Sequence, residues 1–385
     1  MRVAVVSESF LPTLNGVTTS VCKVLDHLRA EGHEAIVISP AAGAPREYAG
    51  FPVHEVPAFA YRQFPVGLPS PQVHSLLAAF RPDVVHAASP FLLGAQAMAA
   101  AGRLGVPSVA IFQTDVAGYA RRNHLRATTG LAWRLVRWVH DQADLTLAPS
   151  TASMRDLALA GIERVERWGR GVDLESYHPR NRLTPAALAL REQLGVGLGS
   201  RETVVGYVGR LAPEKQLERL GALRGLRRVR FAVVGDGPSR PQLERRLRGM
   251  PISWLGQRTG TELATAYAAF DVFLTPGTEE TFGQTVQEAH AAGLPVVAPR
   301  IGGPIDLVDS SHDGFLYQPG DDRGLRNAVR TLTDDPALRL RMGEAGRRSV
   351  IDRSWASVCS ELVEHYDTVI AAGRPARKVS RSRAI

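Results

Sequence analysis

The stretch Thr275-Pro-Gly-Thr-Glu-Glu-Thr-Phe-Gly-Gln-Thr-Val-Gln-Glu-Ala-His-Ala-Ala-Gly-Leu-Pro-Val-Val-Ala-Pro299 decides the fold. The apolar run from Asp271 to Thr275 reads as a short buried strand, broken by Pro276 and Gly277. A helix is predicted from near Thr281–Phe282 to Gly293, a residue type suited to a helix C-terminus. Leu294 to Ala298 reads as the next buried strand. This order aims the helix N-terminus out of the carboxyl end of a strand, where open α/β sheets bind ligands. The amides around Phe282, Gly283 and Gln284 have no helical acceptors and suit anionic or hydroxyl oxygens. Gly283 lets a ligand approach the backbone closely. Two carboxylates flank that place, Glu280 before the helix and Glu288 inside it. Eight residues of helix rise about 12 Å. Each glutamate alone reads as an ordinary helix charge, and it is the Gly-Phe context between two strands that favours a site.

Glu280-Thr-Phe-Gly283, Glu288-Ala289 and Gly293-Leu-Pro-Val-Val297 resemble the signature of family 4 retaining glycosyltransferases. The similarity runs from Met1 to about Tyr366. Within that family the chain is most similar to actinobacterial GDP-mannose-dependent α-mannosyltransferases acting on glycolipids, with sulfoquinovosyl-diacylglycerol synthases as cousins. The resemblance implies an α/β GT-B fold, two facing Rossmann-like domains with a cleft between them. The expected division is an acceptor domain over 1–171, joined by a C-terminal helix over 354–371, a nucleotide-sugar donor domain over 172–353, and a basic disordered tail over 372–385. In that setting the predicted reach between Glu280 and Glu288 matches the sugar and ribose ends of an extended nucleotide-sugar, whose hydroxyl pairs carboxylates accept strongly.

Composition bounds the remaining classes. A chain of 385 residues, 44% of them hydrophobic, is long enough for two domains with sizeable cores. Cys22 and Cys359 have no metal-ligand spacing and point to a reducing compartment. Met1-Arg2 leads straight into an apolar strand, so no signal peptide is expected. Phe91 to Gly102 is too short to span a membrane and contains Gln96. The expectation is a cytoplasmic enzyme, free or peripheral on the inner face of the plasma membrane. The net charge of +8 suits phosphates, nucleic acid or an anionic membrane without choosing among them. No nucleic-acid-binding module is recognisable.

Taken from the start, Val3–Val6 and Ala35–Ser39 read as strands around a helix, one βαβ unit. The first loop has the single glycine Gly16 and no G-x-G-x-x-G, which argues against an NAD enzyme. The resemblance places Gly16 near the donor diphosphate. Phe51 to Leu68 is rich in proline and aromatics and reads as a loop, packed on its own domain or facing an apolar acceptor. His86 ends a predicted strand and is balanced between a structural and a catalytic reading. Gln113 and Asp115 follow the strand Val106–Phe112. Many relatives have a histidine, aimed at the donor sugar, where this chain has Gln113. A glutamine can still hydrogen-bond a hydroxyl but cannot exchange a proton at neutral pH. Asp115 is then the nearest ionisable group.

Tyr119 to Asp141 carries Arg121, Arg122, His124, Arg126, Arg134 and Arg137 among Tyr119, Trp133 and Trp138. Leu131, Leu135, Val136 and Val139 form an apolar stripe. Two readings stay open, a solvated basic face or a dock for anionic lipid headgroups. Gly169-Arg-Gly-Val-Asp173 resembles the family's segment at the end of the first domain. Arg210 and Lys215 follow the predicted strand Thr203–Val208, a position suited to neutralising phosphate. By resemblance they bind the donor diphosphate and stabilise it as leaving group. Arg258 follows another short strand, in a loop that cups the nucleobase in relatives.

The catalytic candidates are therefore Glu280, Arg210, Lys215, Gln113 and Asp115. The donor-binding candidates are Gly16, Arg210, Lys215, Arg258, Glu280, Thr281, Phe282, Gly283 and Glu288. No metal and no cofactor is expected, the nucleotide-sugar being a substrate. The expected reaction moves a hexose, mannose from GDP-mannose, to a lipid-linked or other hydroxyl acceptor at an anionic membrane surface, forming an α-glycosidic bond. A UDP-sugar-dependent transferase of glucosyl or sulfoquinovosyl type and a GT-B nucleotide-sugar epimerase stand as alternatives.

Overall fold

The computed structural model describes residues 1–13, 15–40, 43–61, 64–67, 70–113, 129–197 and 199–373. The chain divides into two compact units. One holds Met1–Pro149, Met154–Trp168 and the chain from Cys359 onward; the other holds Ser150–Ser153 and Gly169–Val358. The division at Trp168/Gly169 falls three residues before the expected 171. The last helix, Trp355–Ala372, begins in the second unit and from Cys359 belongs to the first. Residues 374–385, which make up nearly all of the expected tail, lie outside the described residues.

Among its described residues the first unit is built on ten strands: β1 (Arg2–Ser7), β2 (Glu34–Ser39), β3 (Glu47–Tyr48), β4 (Phe51–Glu55), β5 (Ala58–Tyr61), β6 (Phe64–Gly67), β7 (Val84–Ala88), β8 (Ser108–Ile111), β9 (Leu145–Ala148) and β10 (Val165–Arg167). Eight of them form one sheet in the order β10-β9-β8-β7-β1-β2-β4-β3, parallel except for the β3–β4 pair, and β5 and β6 form a separate hairpin. The inner strands are fully buried, Val3–Val6 and Val84–Ala88 among them, as continuous apolar runs in a parallel sheet require. The predicted loop Phe51–Leu68 is thus largely strand. Phe51 is buried and β4 pairs with β2, so a proline at position 52 is carried by a strand one place from the sheet edge.

The second unit has six parallel strands: β11 (Thr203–Val208), β12 (Val229–Val234), β13 (Ile252–Gly256), β14 (Val272–Leu274), β15 (Val296–Pro299) and β16 (Gly314–Tyr317). Their order is β13-β12-β11-β14-β15-β16. The order reverses between β11 and β14, so their carboxyl-end loops diverge and leave a crevice there. In the first unit the same reversal lies between β1 and β7.

Asp271 shows how the second unit is pinned. Its carboxylate lies at the foot of β14, 8% exposed, and accepts from the Val204 amide of β11 at 2.7 Å. It also pairs with Arg182 and with Arg191, both from the segment that leads into the unit. That segment is therefore an integral layer of this unit.

Candidate active site

The crevice of the second sheet brings together the loops that follow β11 and β14. Gly277 lies against the backbone of the first loop: a Cβ there would sit 3.2 Å from the Glu214 carbonyl oxygen and the Lys215 Cα. Gln216 donates from Nε2 to Thr278 Oγ1 at 2.7 Å. Lys215 and Glu280 form an ion pair, each about four-fifths buried. Two residues 65 positions apart, both assigned to the donor from sequence, thus meet at the switch point.

A third loop, after β15, closes on the same place. The Gly303 amide donates to the Glu280 carbonyl at 2.7 Å, and a Cβ at Gly303 would lie 1.9 Å from the Phe282 carbonyl oxygen. Only glycine permits that approach. Thr281 is half-buried and Phe282 is buried, 6% exposed, with its ring against Gly169.

The helix spans Gln284–Ala291 and starts later than predicted. Gly283 is the reason: at φ 98° and ψ 49° it is left-handed, which ends the loop and lets the helix begin only after it. Val286 and Gln287 donate back to the Gly283 carbonyl, whereas the amides of Gly283, Gln284 and Thr285 donate to no group among the described residues. Glu280 is therefore in the loop, and the separation of the two glutamates is not the rise of one helix.

Glu288 is gripped from behind. Tyr267, fully buried on the helix Gly260–Ala269, donates to Glu288 Oε2 at 2.8 Å. Burial pushes the Glu288 carboxyl up to about 7, against the Tyr267 and Gln284 hydrogen bonds and the Arg170 charge, which lower it. Arg170 is the residue that both glutamates share. Burial lowers its guanidinium to about 10, and the charges of Glu280 and Glu288 act in the opposite sense. Its segment is fastened to the helix of Glu288: Gln287 Nε2 donates to the Arg170 carbonyl at 3.0 Å and Gln284 Nε2 to the Gly171 carbonyl at 3.1 Å.

The remaining candidates are more scattered. Arg210 is exposed after β11 and makes no ion pair among the described residues. Arg258 is turned back onto its own surroundings, to the Leu255 carbonyl at 3.1 Å and Glu262 at 3.2 Å. In the first unit, Gly16 is the exposed first residue of the helix Gly16–Ala30, whose cap Asn15 accepts from the amides of Val17 and Thr18. Gln113 is half-buried just past β8, and Asp115 lies outside the described residues. His86 is structural: it is buried within β7, its Nδ1 2.5 Å from the Tyr366 hydroxyl, and burial lowers it to about 3. Among the described residues no group of three or more His, Cys, Asp or Glu is arranged to hold a metal ion.

Of the basic stretch, Tyr119, Arg121, Arg122, His124 and Arg126 lie outside the described residues. The helix Thr129–His140 is described, and its inner face is Val136 and Val139. Leu131 does not join that stripe. It is 65% exposed and shares the outer face with Arg134 and Trp138, the latter 51% exposed. No helix among the described residues is long and apolar enough to cross a membrane.

Two parallel-sheet α/β units with glycine-lined loops at the switch point are the architecture of GT-B glycosyltransferases. Anabaena HepE, solved in complex with UDP, shares it with a TM-score of 0.79 at 23% identity, over 96% of this chain and 100% of that one. The chain belongs to glycosyltransferase family 4. Residues 14–176 match the family model described as Glycosyltransferase Family 4, and residues 202–335 the one described as Glycosyl transferases group 1. It is 47% identical to a GDP-mannose-dependent alpha-mannosyltransferase of Mycolicibacterium smegmatis, over 96% of this chain and 98% of that protein. It is 36% identical to a sulfoquinovosyl transferase of Arabidopsis thaliana, over 89% of this chain and 69% of that protein.

Sequence reasoning missed Arg170 as a site residue and Tyr267 altogether. Arg170 carried one signal, its place between two glycines. A Cβ at Gly171 would lie 2.4 Å from the Trp355 Cα, so that glycine serves close backbone packing beside the arginine. Tyr267 sits in an alanine-rich helix with nothing in its spacing to mark it.

Proposed function

We propose that the protein transfers mannose from GDP-mannose to a hydroxyl of a lipid-linked acceptor, with retention, forming an α-glycosidic bond. The observation that carries this reading is the 47% identity with a GDP-mannose-dependent alpha-mannosyltransferase along nearly the whole of both chains. The switch-point site supports it chemically. Arg210 and Lys215 supply positive charge for a diphosphate, and the first-turn amides after Gly283 supply donors. A diphosphate competes with Glu280 for the Lys215 ammonium, and sugar hydroxyls compete with Lys215 for the Glu280 carboxylate. Donor entry thus trades one ion pair for two sets of contacts.

The reaction we assign is front-face substitution. The bond from the anomeric carbon to the phosphate oxygen breaks, and the bond to the acceptor oxygen forms on the same face. The leaving oxygen takes the acceptor's proton while Arg210, Lys215 and the amides absorb its charge. No metal is assigned a role, since the two cations provide that charge. Losing a charge-assisted contact costs about 1.5–3 kcal/mol, so Arg210→Ala is expected to weaken GDP binding by about tenfold or more. Unchanged affinity in calorimetry would remove Arg210 from the site.

The acceptor side of the proposal rests on the outer face of the helix Thr129–His140. Leu131 and Trp138 gain about 1.5–3 kcal/mol each on full burial in an apolar phase, and Arg134 and Arg137 lie beside them for anionic headgroups. Arg137 pairs with Asp141 at 3.5 Å, but an exposed pair of that kind is worth only about 0.3–0.5 kcal/mol and does not hold the arginine back. We place the enzyme peripherally on an anionic membrane surface on this basis.

A UDP-sugar donor is the second reading, supported by UDP in the Anabaena structure and by the Arabidopsis relative. A donor panel decides between them. GDP-mannose, UDP-glucose and UDP-galactose are each supplied with a diacylglycerol glycolipid acceptor, and product is read by mass. Turnover with GDP-mannose alone is the expected result, and turnover confined to a UDP-sugar overturns the assignment.

A further inference from the structure

The structure assigns Tyr267 and Arg170 as positioning residues for nucleotide binding: Tyr267 anchors one oxygen of Glu288 and so fixes how the carboxylate is presented to the ligand, and Arg170 is the shared counter-charge of Glu288 and Glu280. This rests on the proposal that Glu288 receives the ribose of the donor.

Glu288 Oε2 already accepts from the Tyr267 hydroxyl at 2.8 Å. That hydroxyl also lies 3.3 Å from the Thr285 carbonyl, and its ring is packed against Tyr177 and Phe273 at centroid distances of 5.2 and 5.7 Å. A phenol held on three sides cannot follow a moving carboxylate, so the carboxylate is held to it. The backbone of Arg170 is fixed as well. Its carbonyl is tied to Gln287, one residue before Glu288, and the neighbouring carbonyl of Gly171 is tied to Gln284. The guanidinium therefore acts on both carboxylates from a backbone that is part of the same site.

The other charged and titratable groups around Glu288 are few. Tyr177 acts on it from the side of Tyr267. Glu280 is paired with Lys215, Arg347 of the helix Pro336–Val350 is bonded to the Ala291 and Tyr177 carbonyls, and Asp306 of the short helix Pro304–Leu307 accepts from Thr151. His290, on the same helix as Glu288, is lowered by burial to about 4 and stays neutral.

Ribose hydroxyls donate to the ionised carboxylate, so bound nucleotide lowers the Glu288 pKa. The free value is about 7. Affinity must then rise as pH rises toward that value, level off above it, and fall again on acidification. Removing the Tyr267 hydroxyl or the Arg170 charge destabilises the ionised form and moves the break upward.

The test is calorimetric titration of the full chain with GDP from pH 5.5 to 9. The wild type is compared with Glu288→Gln, Tyr267→Phe, Arg170→Met and Arg170→Lys. The wild-type profile should break near neutrality, and Glu288→Gln should flatten it. Tyr267→Phe and Arg170→Met should each move the break up by about one pH unit, which is about fivefold in affinity at pH 7 and approaches tenfold below pH 6. Arg170→Lys should return it toward the wild type. A residue that only supports the fold would lower affinity equally at every pH, and an unmoved break in Tyr267→Phe overturns the inference even if Arg170→Met fails to fold. If the wild type binds GDP with no break that Glu288→Gln removes, the placement of ribose at Glu288 fails and this inference with it.

Discussion

Glu280, paired with Lys215 in a loop, and Glu288, bonded to Tyr267 in a helix, face different parts of the proposed donor. Ribose does not change during the reaction, so a contact to it is uniform binding. Glu288→Gln is expected to weaken GDP and GDP-mannose alike, with kcat nearly kept at saturation. In the proposed reaction Glu280 grips the sugar, whose ring gains positive charge as the phosphate leaves. Glu280→Gln should lower kcat strongly and leave free GDP affinity within a few-fold. Loss of GDP binding in Glu280→Gln together with loss of turnover alone in Glu288→Gln would reverse the donor along these loops. That Lys215 and Glu280 serve one crevice was legible in sequence, because both follow predicted buried strands and parallel sheets gather such loops at one end, but their ion pair was not. Tyr267 was not legible, because its role depends on which helix face meets the helix of Glu288, and that is a matter of packing. Arg170 was visible only as part of a family-like segment, since a charge shared by two distant carboxylates leaves no local pattern.

At the scale of elements, the strands were legible where apolar runs were continuous. The run Thr203–Val208 is β11 residue for residue. The helix after Gly283 was misjudged at its start, because the left-handed backbone of a glycine inside a loop has no mark beyond the glycine itself. The run Phe51–Leu68 reads as loop because its prolines outweigh its β-branched and aromatic residues, yet β4 follows β2 in the sheet and tolerates a proline near the edge. Asp271 carries the element-scale prediction. It is nearly buried and binds two arginines and the Val204 amide. Asp271→Ala leaves those groups uncompensated and should cost the second unit about 3–5 kcal/mol. Urea unfolding followed through the fluorescence of Trp254, which packs on this unit's core, should show a lower midpoint. A midpoint within error of the wild type would show that the arginines find water instead.

For the molecule as a whole, the doubly wound class was legible twice, from strand-loop-helix-strand runs in both halves. Lys215 and Glu280 meet where the strand order of the second unit reverses, between β11 and β14. The proposed membrane face belongs to this scale. The full chain should float with anionic liposomes at low salt and less so at high salt, and Leu131→Ser with Trp138→Ser should abolish flotation while leaving GDP binding intact. Flotation unaffected by the double substitution would move the membrane contact elsewhere. The central claim, that this site carries mannose from GDP-mannose to a hydroxyl with retention, is tested most directly by the anomeric configuration of the product. Donor labelled with ¹³C at the anomeric carbon is turned over with a glycolipid acceptor, and the one-bond C–H coupling of the new linkage is read by NMR. An α-linked mannoside is the predicted result, and a β-linked one would contradict it.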